Sequence, residues 1–229
     1  MPNDMPTSDD PIIFLDIETL PAEKDSPLWE RIQDQSPVPS HEDFESYFEE
    51  LRPKTALFPS LGRVWMIGFA FKNQEPTTIC GDGSLEGERK VLEEFHTHVE
   101  KWRDPWWVGH NVSGFDLPFL QVRSLHHNLP NLGRSLGRLR AKPWEKRMLD
   151  TQLLWPATGA DRYSGSHGIR GTRRLDTVCS LLDIEIQKGD LGPDVYNAFL
   201  AGDAESVKEH LYYDVVQVRE VFKRIWPLL

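Results

Sequence analysis

Two acidic residues, Asp16 and Glu18, directly follow a short apolar run near the start of the sequence. The run, residues 12–15, comes after a polar, proline-containing segment and predicts a buried β-strand that ends at Asp16. Because alternate residues of a strand point to the same face, both carboxylates project together while Ile17 faces the other side. Adjacent carboxylates repel each other unless a cation lies between them, and Mg²⁺ and Mn²⁺ prefer oxygen ligands. The pair therefore indicates either a metal site or solvated charges at the end of a strand.

The other apolar patterns predict a single α/β domain. We expect residues 1–10 to be a flexible tail and residues 11–229 to form one domain, since a chain with 39% hydrophobic residues can bury a sizeable core. An irregular excursion is expected between residues 21 and 53, with one or two helical turns around residues 44–51. The remaining elements predict a mixed β-sheet with helices packed on it: strands at 63–72, 76–80 and 106–109, and helices at 87–103, from 116, at 175–182 and at 204–225.

A third acidic residue, Asp116, follows the strand predicted at 106–109 and a polar, glycine-containing turn. It would begin the next helix. A carboxylate in that position either belongs to a site or simply interacts with the N–H groups of the first helical turn. Asn111 in the same turn is likewise either a site residue or an ordinary turn residue.

The closing helix carries His210 and Asp214, which are four residues apart and therefore share one face. Asp214 borders the apolar stripe that includes Leu211 and Val218. An acidic side chain beside such a stripe is costly unless its charge is compensated. A metal ion, an arginine partner or partial exposure would each provide that compensation.

Charge and cysteine content narrow the possible functions. A formal net charge of −10 argues against a protein that coats nucleic acid through its overall charge, but not against an enzyme whose bound cations supply local positive charge. The cysteines, Cys80 and Cys179, are far apart in the sequence and suggest neither a disulfide framework nor a zinc site, which fits a cytoplasmic setting. We expect no membrane association, because no apolar stretch is long enough to span a bilayer.

Taken together, these residues occur in the order of one known arrangement. The chain resembles DEDD-type 3′ to 5′ exonucleases of the ribonuclease H-like superfamily. It looks most like the predicted exonucleases related to the proofreading domain of family B DNA polymerases. The resemblance covers about residues 12–225 and implies a ribonuclease H-like mixed β-sheet flanked by helices. Three motifs carry it: Asp16-Ile17-Glu18-Thr19, then Gly109-His110-Asn111 with Phe115-Asp116, and finally Asp214-Val215.

The resemblance also implies a reaction. Two divalent metal ions, Mg²⁺ or Mn²⁺, would be held by the matching carboxylates, Asp16, Glu18, Asp116 and Asp214. The implied substrate is a single-stranded nucleic acid with a free 3′ end, with DNA favoured, and the product is a nucleoside 5′-monophosphate. An RNA-trimming enzyme and a catalytically silent nucleic-acid binding module on the same fold are alternatives. The implied contacts to the terminal nucleotide are Thr19, Leu20, Asn111 and Phe115, although core packing explains Leu20 and Phe115 equally well.

One position departs from the family pattern. Members carry either a tyrosine four residues before the last aspartate or a histidine five residues before it. His210 lies four residues before Asp214, so its position matches one type and its side chain the other. Glu209, five residues before, lies away from the face that Asp214 shares. We therefore expect His210 to orient or deprotonate the attacking water, the alternative being an ordinary surface histidine.

Two weaker acidic matches, Asp150 and Asp176, are expected to be capping or solvated carboxylates. A concentration of basic residues between positions 134 and 174 either contacts phosphates or forms a solvated basic face. Its members are Arg134, Arg138, Arg140, Lys142, Lys146, Arg147, Arg170, Arg173 and Arg174.

Overall fold

The computed structural model describes residues 6–7, 9–39, 43–102, 104–136, 147–154, 173–185 and 194–228. Five strands form one mixed sheet: β1 (Ile12–Leu20), β2 (Arg63–Phe71), β3 (Thr77–Cys80), β4 (Trp106–Gly109) and β5 (Met148–Asp150). Their order across the sheet is β3-β2-β1-β4-β5. β2 pairs antiparallel with both β1 and β3, whereas β4 pairs parallel with both β1 and β5.

Helices follow the strands along the chain. Several begin at a residue whose side chain accepts a backbone N–H of the first turn, as Ser84 and Asp203 do. The helices in the described residues are α1 (Pro27–Gln35), α2 (Phe44–Leu51), α3 (Leu85–Val99), α4 (Asp116–His126), α5 (Pro130–Ser135), α6 (Thr151–Leu154), α7 (Leu175–Leu181), α8 (Val195–Ala201) and α9 (Ala204–Ile225). A 3₁₀ turn, Arg52–Leu57, continues α2.

Alternate residues of β1 serve the two faces of the sheet. Ile13, Leu15 and Ile17 are buried in the cluster that α3 and α4 complete. Phe14 belongs to a different cluster, which α9 completes, and its ring centroid lies 5.6 Å from that of Phe222. Helices therefore cover both faces of the strand that carries the first motif.

A buried ionic network fixes α4 against α3 and β2. The carboxylate of Glu88 accepts hydrogen bonds from Arg123 Nε (2.8 Å) and Nη2 (2.6 Å) and from the backbone N–H of Val64 (2.7 Å). His127 Nε2 lies 2.7 Å from the same carboxylate. Because a buried charge needs such partners, this network holds the helix that begins at Asp116 in one place.

The mixed sheet flanked by helices confirms the predicted fold class, and the closing helix has the predicted bounds. The prediction that the first strand ends at Asp16 is wrong, because Asp16 and Glu18 both continue the ladder with β2 and the strand runs to Leu20. The helix predicted at 87–103 begins earlier, where Ser84 caps it, and ends at Val99. Helices α1, α5 and α8 lie in segments for which no helix was predicted at those residues.

Candidate active site

Asp16 and Glu18 lie in the second half of β1, on the face that α9 covers. Asp16 pairs with Gly68 of β2 and Glu18 pairs with Met66. The register shifts between Glu18 and Thr19, so a β-bulge follows the two carboxylates directly. The strand thus presents both side chains together, as alternation along it requires.

Asp116 reaches the same strand from another element. As the first residue of α4 it is buried, and its Oδ1 accepts a hydrogen bond of 3.1 Å from the backbone N–H of Ile17. Ile17 lies between Asp16 and Glu18 in the sequence. The third carboxylate is therefore attached to β1 at the point where the first two project.

α9 supplies Asp214 and His210. His210 Nε2 lies 3.1 Å from Asp214 Oδ2, which places both side chains on one face of the helix. Ligand atoms of Glu18, His210 and Asp214 all lie within 4.8 Å of one another. A histidine and two carboxylates from two elements thus converge on one point.

Gly68 allows α9 to approach the sheet this closely. A Cβ atom at Gly68 would lie 2.7 Å from Leu211 Cγ, nearer than real Cβ contacts allow, and 3.1 Å from Val215 Cγ2, which is tighter than most such contacts. Gly68 is also the residue paired with Asp16. The missing side chain at this position therefore brings Asp214 towards the carboxylates of β1.

Burial and nearby negative charges raise the pKa of all four carboxylates. Burial, with repulsion from Asp116, Asp214 and Glu18, raises the pKa of Asp16 well above its usual value. Burial, with repulsion from Asp214 and Asp116, raises the pKa of Glu18 to about 8. Burial is also the largest cause that raises the pKa of Asp116 to about 7 and that raises the pKa of Asp214.

Such a cluster cannot ionise fully at neutral pH without positive charge nearby. Its donor atoms are carboxylate oxygens with one imidazole nitrogen, a set that suits a hard cation such as Mg²⁺ or Mn²⁺. Glu18, His210 and Asp214 lie close enough together to hold one ion, and Asp16 and Asp116 are near enough to repel these carboxylates. The residues present therefore fit a divalent metal ion.

The residues predicted to contact substrate differ in their surroundings. Thr19 is buried and its hydroxyl donates to the carbonyl of Ala56 (2.8 Å). Leu20 is fully buried in a cluster completed by α8 and α9, so its side chain does not face an open pocket. Asn111 is exposed at the turn before α4. Phe115 is half-buried against Phe119, with ring centroids 5.4 Å apart.

Of the weaker acidic matches, Asp150 precedes α6 and accepts the N–H of Gln152, as predicted for a cap, and Asp176 is exposed, as predicted for a solvated carboxylate. Asp150 is buried rather than solvated, and it accepts hydrogen bonds from the turn before α4 as well as one from Gln152. In the sequence, Asp150 is marked only by its position as an acidic residue after the second motif. Asp176 is exposed in the first turn of α7, where it accepts a hydrogen bond from the N–H of Thr177 (2.6 Å) and pairs with Arg174 at 3.4 Å.

Basic residues between positions 134 and 174 that the structure describes bind other groups of the same chain. Arg147 pairs with Asp10 (2.8 Å) and Asp104 (3.2 Å), and Arg134 donates to the carbonyl of Pro130. Other members lie outside the described residues: Arg138, Arg140, Lys142, Lys146 and Arg170. The described part of the chain thus does not establish a basic surface beside the carboxylates.

A known protein family and a DNA polymerase are similar to this chain in sequence. The family described as predicted 3′-5′ exonucleases related to the exonuclease domain of PolB matches residues 59–228. A DNA polymerase from Archaeoglobus fulgidus is 22% identical over 174 residues, which are 74% of this chain and 21% of the polymerase. The chain thus spans about a fifth of the length of that relative.

A solved structure shares the fold. The family B DNA polymerase from the hyperthermophilic archaeon Pyrobaculum calidifontis aligns with 95% of this chain and 25% of its own, with a TM-score of 0.58 and 17% identity. This likeness confirms the predicted ribonuclease H-like α/β fold. Within the described residues, every helix is too short or too polar to cross a membrane.

Proposed function

Because the chain belongs to the family of predicted 3′-5′ exonucleases related to the exonuclease domain of PolB, we propose that it removes nucleotides from the 3′ end of single-stranded nucleic acid. The reaction is metal-dependent hydrolysis of the terminal phosphodiester bond, and the product is a nucleoside 5′-monophosphate. The observation that carries the proposal is the convergence of four carboxylates from β1, α4 and α9, each with a raised pKa.

Asp16, Glu18, Asp116 and Asp214 would hold the two cations. When bound, a pair of divalent ions activates a water molecule and stabilises the leaving 3′ oxygen. The carboxylates orient the phosphate indirectly, since four negative side chains repel an anion unless cations lie between them. Asp116 is buried, whereas the other three carboxylates are half-buried and therefore remain accessible to a substrate.

We propose that His210 accepts the proton of the attacking water. If Nε2 carries its hydrogen and donates to Asp214, at a distance of 3.1 Å, the opposite nitrogen Nδ1 has a free lone pair. That lone pair can accept a proton from the attacking water. Asp214 then keeps the ring in this tautomer and orientation, as an acidic residue does for many catalytic histidines. Direct coordination of a metal ion by His210 is the competing role, and Mg²⁺, which prefers oxygen, disfavours it.

DNA is the favoured substrate because both similar proteins described above are DNA polymerases. That preference comes from the comparisons, since the residues at the site do not report on a 2′-hydroxyl. Retention of all four carboxylates argues against a catalytically silent binding module.

A digestion panel tests the proposal. Single-stranded DNA, duplex DNA and RNA, each labelled at the 5′ end, are incubated with Mg²⁺ or Mn²⁺ and the shortened products are followed over time. We expect a ladder that shortens from the 3′ end, that slows when the 3′-hydroxyl carries a bulky group, and that disappears in excess chelator. Asp16→Asn, which removes one ligand charge while keeping the side-chain shape, is the matched inactive control.

Two results would contradict the proposal. Full hydrolysis in excess chelator would exclude the two-metal reaction. Release of the 5′ label as a mononucleotide at the earliest times would reverse the polarity. Faster shortening of RNA than of DNA would instead identify an RNA-trimming enzyme with the same site.

A further inference from the structure

We propose that Asp150 is a positioning residue for the carboxylate cluster: it fixes the turn between β4 and α4, and with it Asp116, without binding metal itself. The proposal rests on the proposed exonuclease function, because it concerns the same site. Asp150 ends β5 and pairs with Gly109, the last residue of β4.

All acceptor positions of the Asp150 carboxylate are occupied. Oδ1 accepts from the backbone N–H of Asn111 (2.9 Å) and of Gln152 (3.0 Å). Oδ2 accepts from the N–H of Ser113 (3.0 Å) and from its hydroxyl (2.6 Å). An ionised carboxylate offers about four lone-pair sites. Four donors therefore leave no lone pair directed at a cation, so Asp150 is not a fifth metal ligand.

The turn that Asp150 holds is compact. Asn111 has a left-handed backbone with φ of 68°. A Cβ atom at Gly109 would lie 2.6 Å from Val112 Cβ and 2.8 Å from the carbonyl oxygen of Leu15. The backbone N–H groups of Asn111 and Ser113 both point at Asp150, so its negative charge stabilises a conformation that other L-residues rarely adopt.

The turn continues directly into α4. The carbonyl of Asn111 accepts from the N–H groups of Gly114 (3.0 Å) and Phe115 (2.9 Å), and the carbonyl of Val112 accepts from Leu117 (3.1 Å). Asp116 lies between Phe115 and Leu117 and binds the backbone of β1. A displacement of the turn would therefore displace Asp116, and it would move the exposed Asn111 as well.

Thr151, the residue after Asp150, also binds the end of β4. Thr151 Oγ1 donates to the carbonyl of Gly109 (3.1 Å) and lies 3.0 Å from Nδ1 of His110. The other ring nitrogen of His110 is 2.6 Å from the carbonyl oxygen of Arg173. Asp150 and Thr151 together thus hold Gly109, the last residue of β4, and the residues that follow it.

The placement also has an electrostatic cost. The charge of Asp150 is near enough to contribute to the raised pKa of Asp116. A neutral acceptor at position 150 would avoid this repulsion of Asp116. An asparagine, however, has one side-chain oxygen and could accept only about half of the four hydrogen bonds. The geometry of the turn requires the carboxylate despite its repulsion of the site.

The test compares three variants of the full chain. Asp150→Asn keeps the shape and loses two acceptor positions, and Asp150→Glu keeps the charge and moves it by one methylene. Ser113→Ala removes one hydroxyl bond but leaves all three backbone bonds. For each variant we would measure kcat and KM on a 5′-labelled single-stranded oligonucleotide, the affinity and number of bound Mn²⁺ ions without substrate, and thermal unfolding.

We expect Asp150→Asn and Asp150→Glu to lower kcat by about 10- to 100-fold, as for other residues that orient metal ligands, with KM changed by less than about threefold. Their Mn²⁺ affinity should fall by about 10-fold, with the parental number of ions bound at saturation. Ser113→Ala should stay within about threefold of the parent in each quantity, because three backbone N–H groups still hold the Asp150 carboxylate.

Three results would overturn the proposal. The first is a kcat and an Mn²⁺ affinity of Asp150→Asn equal to those of the parent. The second is the loss of a whole bound Mn²⁺ ion, which would make Asp150 a metal ligand. The third is an activity loss in the Asp150 variants no larger than the fraction of the protein that is unfolded. The Mn²⁺ measurement needs no turnover, so it tests Asp150 even if the parent degrades no oligonucleotide. In that case the proposed function fails and the positioning role is judged on metal affinity alone.

Discussion

Glu18→Gln should stabilise the metal-free protein at alkaline pH. The pKa of Glu18 is raised by burial and by Asp214 and Asp116, from 4.5 to about 8. The folded state therefore binds this proton more tightly than the unfolded chain does. When the folded pKa of an acid is raised, stability falls as pH rises between the unfolded and folded values, here from 4.5 to about 8. Glutamine cannot ionise and avoids this loss.

The size of the effect follows from the shift. One pKa unit corresponds to about 1.4 kcal/mol, so a rise from 4.5 to about 8 sets an upper bound of about 5 kcal/mol. Glu18 is only half-buried, and a proton on one carboxylate reduces the repulsion on its neighbours. We therefore expect the free energy of unfolding of Glu18→Gln to exceed that of the parent by about 2 kcal/mol more at pH 8 than at pH 5.5.

The assay is urea unfolding of parent and variant in excess chelator at several pH values. Comparing the two proteins at equal pH cancels other titrating groups, such as His110, whose pKa is lowered by burial. That group acts with the opposite sign, since a base with a lowered pKa gains stability as pH rises. Added Mg²⁺ or Mn²⁺ should then stabilise the parent, most strongly at the higher pH, and should have little effect on Glu18→Gln.

A difference between the two proteins that stays constant with pH, or that shrinks as pH rises, would refute this reasoning. It would mean that Glu18 does not share a crowded site with the other carboxylates. Equal stabilisation of both proteins by metal would lead to the same conclusion by an independent measurement.

Three further substitutions test the site. Asp214→Asn should abolish turnover with the fold intact, because it removes one of the crowded charges, and an initial rate equal to that of the parent would show that the site is misassigned. His210→Ala should lower kcat by about 10²- to 10⁴-fold in single-turnover assays, the range for a lost general base, and a parental rate would make it a surface histidine. Gly68→Ala should cost about 1–3 kcal/mol in urea unfolding and reduce activity by moving α9 away from the sheet. Gly133→Ala, whose added Cβ meets its nearest neighbour at 3.8 Å, is the matched control for Gly68.

Local periodicity accounts for what the sequence predicted. The spacing of Asp16 and Glu18 on one strand and of His210 and Asp214 on one helix places each pair on a single face. These relations hold wherever the element lies in the fold. In the structure, the two residues of each pair lie on one face, as alternation and helical spacing require. The first strand, however, continues past Asp16 to Leu20.

Contacts between distant segments account for what the sequence did not predict. Asp150 was expected to be solvated or a local cap, and most of its partners lie at positions 111 and 113, which the chain brings next to it only when β4 and β5 pair. Core packing was one of two alternatives for Leu20, but the sequence did not indicate that α8 and α9, far along the chain, would join β2 around it. Sequence periodicity reports which face a side chain occupies, but not which distant element will cover that face.

The metal site should be formed before metal binds. Each carboxylate has a buried apolar neighbour in the chain that anchors its backbone: Ile17 for the β1 pair, Leu117 for Asp116 and Val215 for Asp214. Packing of these residues, rather than a cation, holds the backbone positions of the site. Metal therefore adds stability through binding to the folded state, by an amount that depends on its free concentration. Excess chelator should abolish activity while the far-ultraviolet circular dichroism of the helices stays unchanged, and added Mn²⁺ should restore the rate without a folding lag. Loss of the helical signal in chelator would show instead that the cation organises the fold.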